Sequence, residues 1–570
     1  LKVLHVTYRF GEEIIGGAEH YLWNLSAELA KLGVDVTIAT TTAGRLREPT
    51  RWNVFWEKGY PPGETEASGL RILRFPFHNL PKWLAKLYGI PLQRCFDREQ
   101  WEIPPPLFEA EFGGVLGRGW YFEEQIGSLV QRWIGKKAEI FIRDENITEI
   151  GFTTQSPWNN VAQVFCNNEK IGEFSPSAEL KYYEFSLPEP TSKARIEIVL
   201  KRTKRPLRDL RKLGMIFTDI VYKTGDEVKK VPLHRHYINE LYSDPEALFN
   251  WLEKRANARP EKFGRYFDRC RGPLSPSLEK FLKNHARDFD LILGHNFPFP
   301  ISCKAVSAGN QAGVPTALLP LAHLEDDYYH WKHYYNALKT ADITFSLSDF
   351  SKDIFRSRFE ANAHTLGGGI DTEEFAKKEF HGDRFRKEHN LTGIPMILFV
   401  GRKSYPKRYN ALIRAVRIVN QTRPCKLVMI GPDENGQPVD PKDALYLGKQ
   451  ERGAILDAYD ACDVFAMLSA SESFGIVFTE AWMREKPVIG YKHCGAIASL
   501  IDHGENGFLC ETEQEAAGKI LRLLDDPVLC KRLGASGKQK TLSRFTWKKI
   551  AEKAKTHYEE IIEKKKSSTR

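Results

Sequence analysis

No apolar run in the 570-residue chain approaches the roughly 18 residues that a membrane-spanning helix needs, so an ordinary transmembrane segment is excluded. Cysteine is sparse. Nine thiols, an odd number, are scattered from Cys95 to Cys530 with no Cys-x-x-Cys pair. Zinc ribbons and dithiol redox chemistry are therefore unsupported, and free thiols in a reducing compartment fit best. The first residues, Leu1-Lys2-Val3-Leu4-His5-Val6, show no separate basic segment or cleavage site and read as a buried strand, not a signal peptide. Net charge is only +9, from 83 basic and 74 acidic residues. That balance suits phosphorylated ligands or an anionic membrane surface and gives no reason to invoke nucleic acid. A cytoplasmic protein, with peripheral contact at the inner face of a membrane as its one membrane role, is the expectation.

What is present is an interrupted α/β pattern. Leu1 to Thr7 reads as a strand, Gly16-Gly17-Ala18-Glu19 opens a helix with Leu22, Leu25, Leu29 and Leu32 at helical spacing, and Val34 to Thr40 reads as the next strand. This βαβ start predicts a parallel sheet. From about 113 to 225 the pattern changes to short alternating strands, such as 137–142, 162–165, 182–187 and 194–200, separated by turns. That spacing predicts a β-sandwich inserted into the first α/β domain. Its flanks are rich in proline, glycine and aromatics, Pro104-Pro105-Pro106 and Gly117-Arg118-Gly119-Trp120 among them. Buried strands return at 290–295, 315–319 and 343–346, and a second series begins near Pro395 with 396–401, 426–431, 464–467 and 487–490. The resulting division is 1–112 and 226–375 for the N-terminal Rossmann-like domain, 113–225 for the insert and 376–548 for a C-terminal Rossmann-like domain. A helix at 549–570 is expected to pack back towards the N-terminal domain.

Two facing open α/β sheets place a ligand between their strand C-terminal edges. Arg402 and Lys407 share one strand-end loop, and two cations there suit a diphosphate; the plain alternative is a solvated charge pair. Gly16 and Gly17 stand between a strand and a helix N-terminus, where backbone amides favour a phosphate, or form a turn without a ligand. The segment Ser471-Glu472-Ser473-Phe474-Gly475-Ile476-Val477-Phe478-Thr479-Glu480 follows a strand and enters a helix. Its two carboxylates can accept hydroxyl hydrogen bonds from a sugar and a ribose, although two Glu eight residues apart also arise by chance. His323, beyond the strand at 315–319, faces the expected cleft, and His295 ends the neighbouring strand with a weaker case; either can be structural.

Taken together, Gly401-Arg402 with Lys407, Leu447-Gly448-Lys449, Glu472 to Glu480, Lys486-Pro487-Val488-Ile489, Gly16-Gly17-Ala18-Glu19, Ala341-Asp342 with Ser348, Gly369-Ile370-Asp371 and Asn506-Gly507-Phe508 resemble glycosyltransferase family 4, in the same order along the chain. The resemblance covers about 1–60 and 285–550, not the insert. It implies a GT-B fold of the glycogen synthase and phosphatidylinositol mannosyltransferase kind, retention of anomeric configuration, and no cofactor or essential metal. The substrates it implies are a nucleotide diphosphate sugar and a glycan or lipid-linked acceptor. It assigns the diphosphate to Arg402 and Lys407, the donor sugar to Glu472, the ribose to Glu480 and the base to the backbone near Gln450, places His323 by the reacting face, and adds Gly16, Gly17, Ser473, Phe474 and Gly475 to the donor site. One departure is Gly367-Gly368 where the family has Pro-Asn, which reads as a more flexible interdomain hinge. No Asp-x-Asp stands at a plausible metal site near the cleft. A sugar-nucleotide epimerase of the same architecture, or a degenerate carbohydrate-binding core, are the alternatives.

Two further expectations lie outside the resemblance. Basic residues Arg71, Arg74, Lys82, Lys86, Arg94 and Arg98 interleave with Phe75, Phe77, Trp83, Leu84, Leu87 and Tyr88, as a segment on an anionic membrane interface would or as a helix covering the domain core would. In the insert, Trp120, Trp133, Trp158, Tyr182 and Tyr183 can line a sugar platform or simply fill a core.

Overall fold

The computed structural model describes residues 1–569 apart from 12, 15, 51–52, 102–113, 118, 127–128, 143, 207–210, 232, 234–244, 378, 435 and 437. The chain divides into two compact units, one of Leu1–Leu92 with Pro245–Arg570 and one of Gln93–Asp244. The second unit interrupts the first in sequence, with limits wider than 113–225. Its first boundary falls within the helix Lys82–Trp101, and the Pro104-Pro105-Pro106 flank and Arg118 lie outside the described residues.

The first unit holds two parallel sheets. One has eight strands in the order 363–365, 343–346, 316–319, 291–295, 2–6, 35–41, 70–75, 63–67, parallel except for the last. Its central strands read as apolar runs because both faces are covered. Val3 and Leu293 face a core with the helix Gly17–Lys31, which contributes Tyr21, Leu22, Leu25 and Leu29 at helical spacing. Leu4, Val6 and Ile292 face the opposite core with Leu278, Leu282 and Ala305. The second sheet has six strands, ordered 444–446, 426–430, 396–400, 464–467, 488–491, 507–510, all parallel. Numbered from its first strand this is the order 3-2-1-4-5-6, whose switch point lies between Met396–Val400 and Val464–Met467.

The chain passes between the two sheets at Leu366–Ile370 and again at Phe545–Trp547. The passages lie side by side, with Ile370 N donating to Phe545 O at 2.7 Å. The expected glycine flexibility is replaced by close packing. A Cβ on Gly368 would stand 2.2 Å from the Phe474 ring, and one on Gly369 would stand 2.2 Å from Trp547. These glycines are small so that aromatic rings can lie against the backbone. After Trp547 the helix Trp547–Thr569 sets Ile550, Ala551, Ala554, Tyr558, Ile561 and Ile562 into the core of the eight-stranded sheet.

The basic-aromatic segment at 71–98 is two different elements. Arg71 and Arg74 lie in the strand Leu70–Phe75, where Arg71 pairs with Glu64 at 2.6 Å and Arg74 is buried against Thr65. Only the helix Lys82–Trp101 presents an outward apolar pair, Trp83 and Leu87, beside exposed Lys82 and Lys86. The side chains of Arg94 and Arg98 lie outside the described residues.

The second unit contains two antiparallel sheets. One orders strands 169–174, 162–166, 195–200, 137–142 and 114–116; the other orders 181–191, 147–155, 216–224, 129–134 and 120–126, with 227–230 on 216–224. Inward residues of both, including Ile140, Val164, Ile198, Phe152, Phe217 and Tyr222, share one core. Trp120 belongs to that core, Trp133 stacks on Trp158 with ring centroids 5.9 Å apart, and Tyr183 lies against Phe174. Tyr182 remains half exposed.

Candidate active site

The switch point of the six-stranded sheet gathers two loops. The first follows Met396–Val400 and carries Arg402 and Lys407; the second follows Val464–Met467 and carries Ser471 to Gly475. They are zipped by backbone and hydroxyl bonds: Ala470 N donates to Pro406 O at 2.9 Å, and Ser469 Oγ donates to the same carbonyl at 3.2 Å. Lys407 Nζ meets Glu472 Oε1 at 2.5 Å, with only 12% and 11% of the two side chains exposed. Arg402 meets Glu434 at 3.0 Å in a much wetter setting, 55% and 41% exposed. A lysine ammonium has three donors, so the bond to Glu472 leaves Lys407 able to hold an anion as well.

Gly475 caps the helix Ile476–Met483 in the left-handed region, φ 91°, where a Cβ would also stand 2.5 Å from Ile497. Phe474 packs edge-on against Phe545 with centroids 5.1 Å apart, which ties the helix start to the second passage between the sheets. Glu480 lies within this helix, 8% exposed. Its Oε2 accepts from Tyr459 OH at 2.9 Å, and its Oε1 meets Arg452 at 2.7 Å. Arg452 also grips Glu374 with two bonds, at 2.9 and 2.7 Å. Gln450 Nε2 donates to Leu447 O at 2.6 Å, so its side chain is spent on shaping its own loop.

The eight-stranded sheet contributes from the facing side. Gly16 caps the helix Gly17–Lys31 with extended backbone and no side-chain bond. Glu19 folds back against Gly16, where a Cβ would stand 2.1 Å from its Oε2, and accepts from Tyr8 OH and, at 2.6 Å, from Arg9 Nε. One turn into this helix, His20 has its proton affinity lowered first by burial and then by Arg452, against the opposing pull of Asp371, Glu374 and Glu480. The glycine turn therefore opens near the Glu480 cluster. His323 reaches furthest: its Nδ1 lies 3.4 Å from Ser471 Oγ and its Nε2 lies 3.4 Å from Ser473 Oγ. Burial, with Lys407 and Arg402 adding to it against the pull of Glu472, drives its pKa down to about 4, so the ring is neutral at physiological pH. His295, by contrast, is fully buried with Nδ1 3.1 Å from Thr7 Oγ1, a structural position.

Sequence reasoning overlooked several partners. Glu325, two residues past His323, is buried and accepts from Ser471 Oγ at 3.2 Å; in sequence it opens the acidic stretch Glu325-Asp326-Asp327 and carries no signal of burial. Arg452, Tyr459 and Glu374 gave none, because nothing in their spacing points to Glu480. Among the described residues no group of three or more His, Cys, Asp or Glu is placed to hold a metal ion, and no helix is long and apolar enough to cross a membrane.

Residues 382–540 match the family model of glycosyl transferases group 1. Over 210 residues the chain is 34% identical to N-acetyl-alpha-D-glucosaminyl L-malate synthase of Bacillus anthracis, covering 35% of this chain and 54% of that protein. It is 27% identical over 207 residues to the capsular polysaccharide biosynthesis glycosyltransferase CapM of Staphylococcus aureus, covering 34% and 54%. The chain thus spans about half the length of these curated relatives. A solved sucrose-phosphate synthase of Thermosynechococcus elongatus aligns over 98% of both chains at 14% identity with a TM-score of 0.47. The stretch that is similar to the glycosyl transferases of group 1 is the one that carries Arg402, Lys407, Glu472 and Glu480.

Proposed function

We propose that this protein is a retaining, metal-independent glycosyltransferase of family 4 with a GT-B fold, moving a sugar from a nucleotide diphosphate sugar to a glycan or lipid-linked acceptor. The observation that carries the reading is the sheltered Lys407–Glu472 pair at the switch point, with neutral His323 from the facing sheet set against Ser471 and Ser473 on either side of Glu472. In this scheme Lys407, Arg402 and the amides opening the helix Ile476–Met483 take the charge that grows on the departing diphosphate. Glu480, steadied by Tyr459 and Arg452, receives the ribose. Glu472 lies against the sugar as it gains cationic character. Cations of the chain do the work that a divalent ion does elsewhere, so chelation is expected to leave turnover intact.

The relatives' names, a glucosaminyl-malate synthase and a capsular polysaccharide transferase, support transfer over epimerisation. Trp83, Leu87, Lys82 and Lys86 support peripheral contact with an anionic membrane. For the inserted all-β unit we propose glycan or partner binding on the acceptor's behalf. Thermal-shift titration with UDP-, GDP- and ADP-sugars tests the core of the reading, since a bound ligand stabilises by RT ln(1 + [L]/Kd). One donor should raise the melting temperature, and Lys407→Ala should abolish the rise. The absence of a shift with every donor would refute it, and the anomeric configuration of the product tests retention.

A further inference from the structure

Glu325 is a buried acid at this site that the transfer scheme does not use. It lies on the loop after Thr316–Leu319, 6% exposed, and its bond partner belongs to the facing domain. Ser471 Oγ donates to Glu325 Oε2 at 3.2 Å and stands 3.4 Å from His323 Nδ1. A single hydroxyl thus sits between the acid and the imidazole. A serine hydroxyl has one hydrogen and two acceptor lone pairs. When its hydrogen goes to Glu325, its oxygen can only accept from His323, and the ring must then carry its proton on Nδ1. A neutral imidazole has one N–H and one bare nitrogen, so Nε2 is left as an acceptor on the side of Ser473.

We infer that Glu325 is a positioning residue: acting through Ser471, it fixes His323 in the Nδ1–H tautomer and leaves Nε2 an acceptor, facing Ser473 Oγ, that a substrate hydroxyl can take over. Ser471 adjoins Glu472 in the donor-side loop, so the tautomer is set only when the two domains hold this apposition. The catalytic consequence rests on the transferase reading; the tautomer itself does not.

The relay has a direction that protonation can reverse. Burial, reinforced by the facing Glu472 and the adjacent Asp326, pushes the Glu325 carboxyl up to about 7. Of the other groups here, Lys407 acts on His323, and the buried Cys494 thiol is held up by burial, Glu325 and Glu472. Below that pH a protonated Glu325 can donate to Ser471 Oγ. Ser471 then donates to Nδ1, and the ring proton moves to Nε2.

The test is the nitrogen NMR spectrum of the full chain carrying 15N-histidine, with the His323 signals identified by their loss in His323→Gln. At pH 8 the wild type should show a protonated Nδ1, and near pH 5.5 a protonated Nε2. Ser471→Ala should abolish the Nδ1 preference at pH 8 even if Glu325→Ala fails to fold. Glu325→Gln, whose amide oxygen still accepts, should keep the Nδ1–H form at pH 8 and remove its reversal. With a working donor and acceptor, Ser471→Ala and Glu325→Ala should each lower kcat about tenfold or more with donor KM within about twofold, and the double variant should be no worse than either. A wild-type Nε2–H ring at pH 8, a tautomer indifferent to Ser471→Ala, or multiplicative losses in the double variant would overturn the inference. If no donor is turned over yet the tautomer follows Glu325 and Ser471, the transferase reading fails and the positioning role stands.

Discussion

Lys407 and Arg402 share one loop and one proposed ligand, yet their surroundings predict unequal effects. Lys407 is 12% exposed and Arg402 55%. A sheltered cation facing developing charge is worth about 2–4 kcal/mol, which is a loss of roughly 30- to 1000-fold in kcat/KM for Lys407→Ala. An exposed one, screened by water and salt, is worth about 1 kcal/mol or less, so Arg402→Ala should lose at most about fivefold. Salt separates them further. The screening length falls from about 10 Å at 0.1 M to about 3 Å at 1 M ionic strength, which should erase most of the Arg402 contribution and little of the Lys407 one. Removing Lys407 also strands Glu472 without its cation, a separate cost for a sheltered pair. Lys407→Met is therefore compared with wild type and also within a Glu472→Gln background. The assay is calorimetric titration with the nucleoside diphosphate of the active donor, together with kcat/KM, at both ionic strengths. Equal losses for the two cations, or a Lys407 effect that vanishes in 1 M salt, would refute the argument from burial.

Glu480→Ala should weaken binding of the free nucleoside diphosphate about tenfold or more, whereas Glu472→Ala should leave that binding within about threefold and depress turnover; loss of nucleotide affinity alone in both would end the division of roles. Gly368→Ala drives a Cβ into the Phe474 ring and should destabilise by about 1–3 kcal/mol, while Gly518→Ala, on an exposed helical position with open space around it, should stabilise by about 0.5–1 kcal/mol; calorimetric melting checks both signs. The Glu325 carboxyl, raised to about 7, keeps a proton that the unfolded chain releases above about pH 4.5, so its contribution to stability is lost as pH rises through 7, on the order of 3 kcal/mol. Glu325→Gln should accordingly raise the melting temperature at pH 8 and leave it unchanged near pH 4.5. His323 runs the other way: with its pKa lowered to about 4, stability falls as pH drops from 6.5 towards 4, and His323→Gln should remove that share of the acid loss. Replacing residues 114–230 by a short flexible linker should leave nucleoside diphosphate binding within about twofold and lower transfer to an extended acceptor; undiminished transfer would make that unit structural.

How much of this was legible in the sequence follows from where each residue's partners lie. Buried parallel strands such as Leu291–His295 and Met396–Val400 stand out because both faces are covered and the apolar run is unbroken. The strand Ile147–Gln155 was passed over because its outward positions are polar and Gly151 interrupts its middle. Arg71 to Phe75 was read with the helix that follows because basic and aromatic residues alternate through both, and only the pairing with Asp35–Thr41 separates them. Gly367-Gly368 has one sequence reading, freedom, and the opposite structural one, since the rings of Phe545 and Phe474 that close on it come from far along the chain.

The site divides along the same line. Arg402, Lys407, Glu472 and Glu480 could be singled out because their segments together resemble a known family; spacing alone fits a solvated charge pair and a chance pair of acids equally well. The residues that aim them could not be singled out. Glu325 meets Ser471 across 146 residues, and Arg452 meets Glu374 across 78. In each case a charged or hydroxylic side chain acquires its meaning only from a partner on another element. A carboxylate at position 325 is an unremarkable loop acid in sequence. In three dimensions it sets which nitrogen of His323 carries a proton, because folding has placed the Ser471 hydroxyl between them. The resemblance of segments can point to which groups bind, whereas orientation and protonation state depend on contacts that only the folded chain creates.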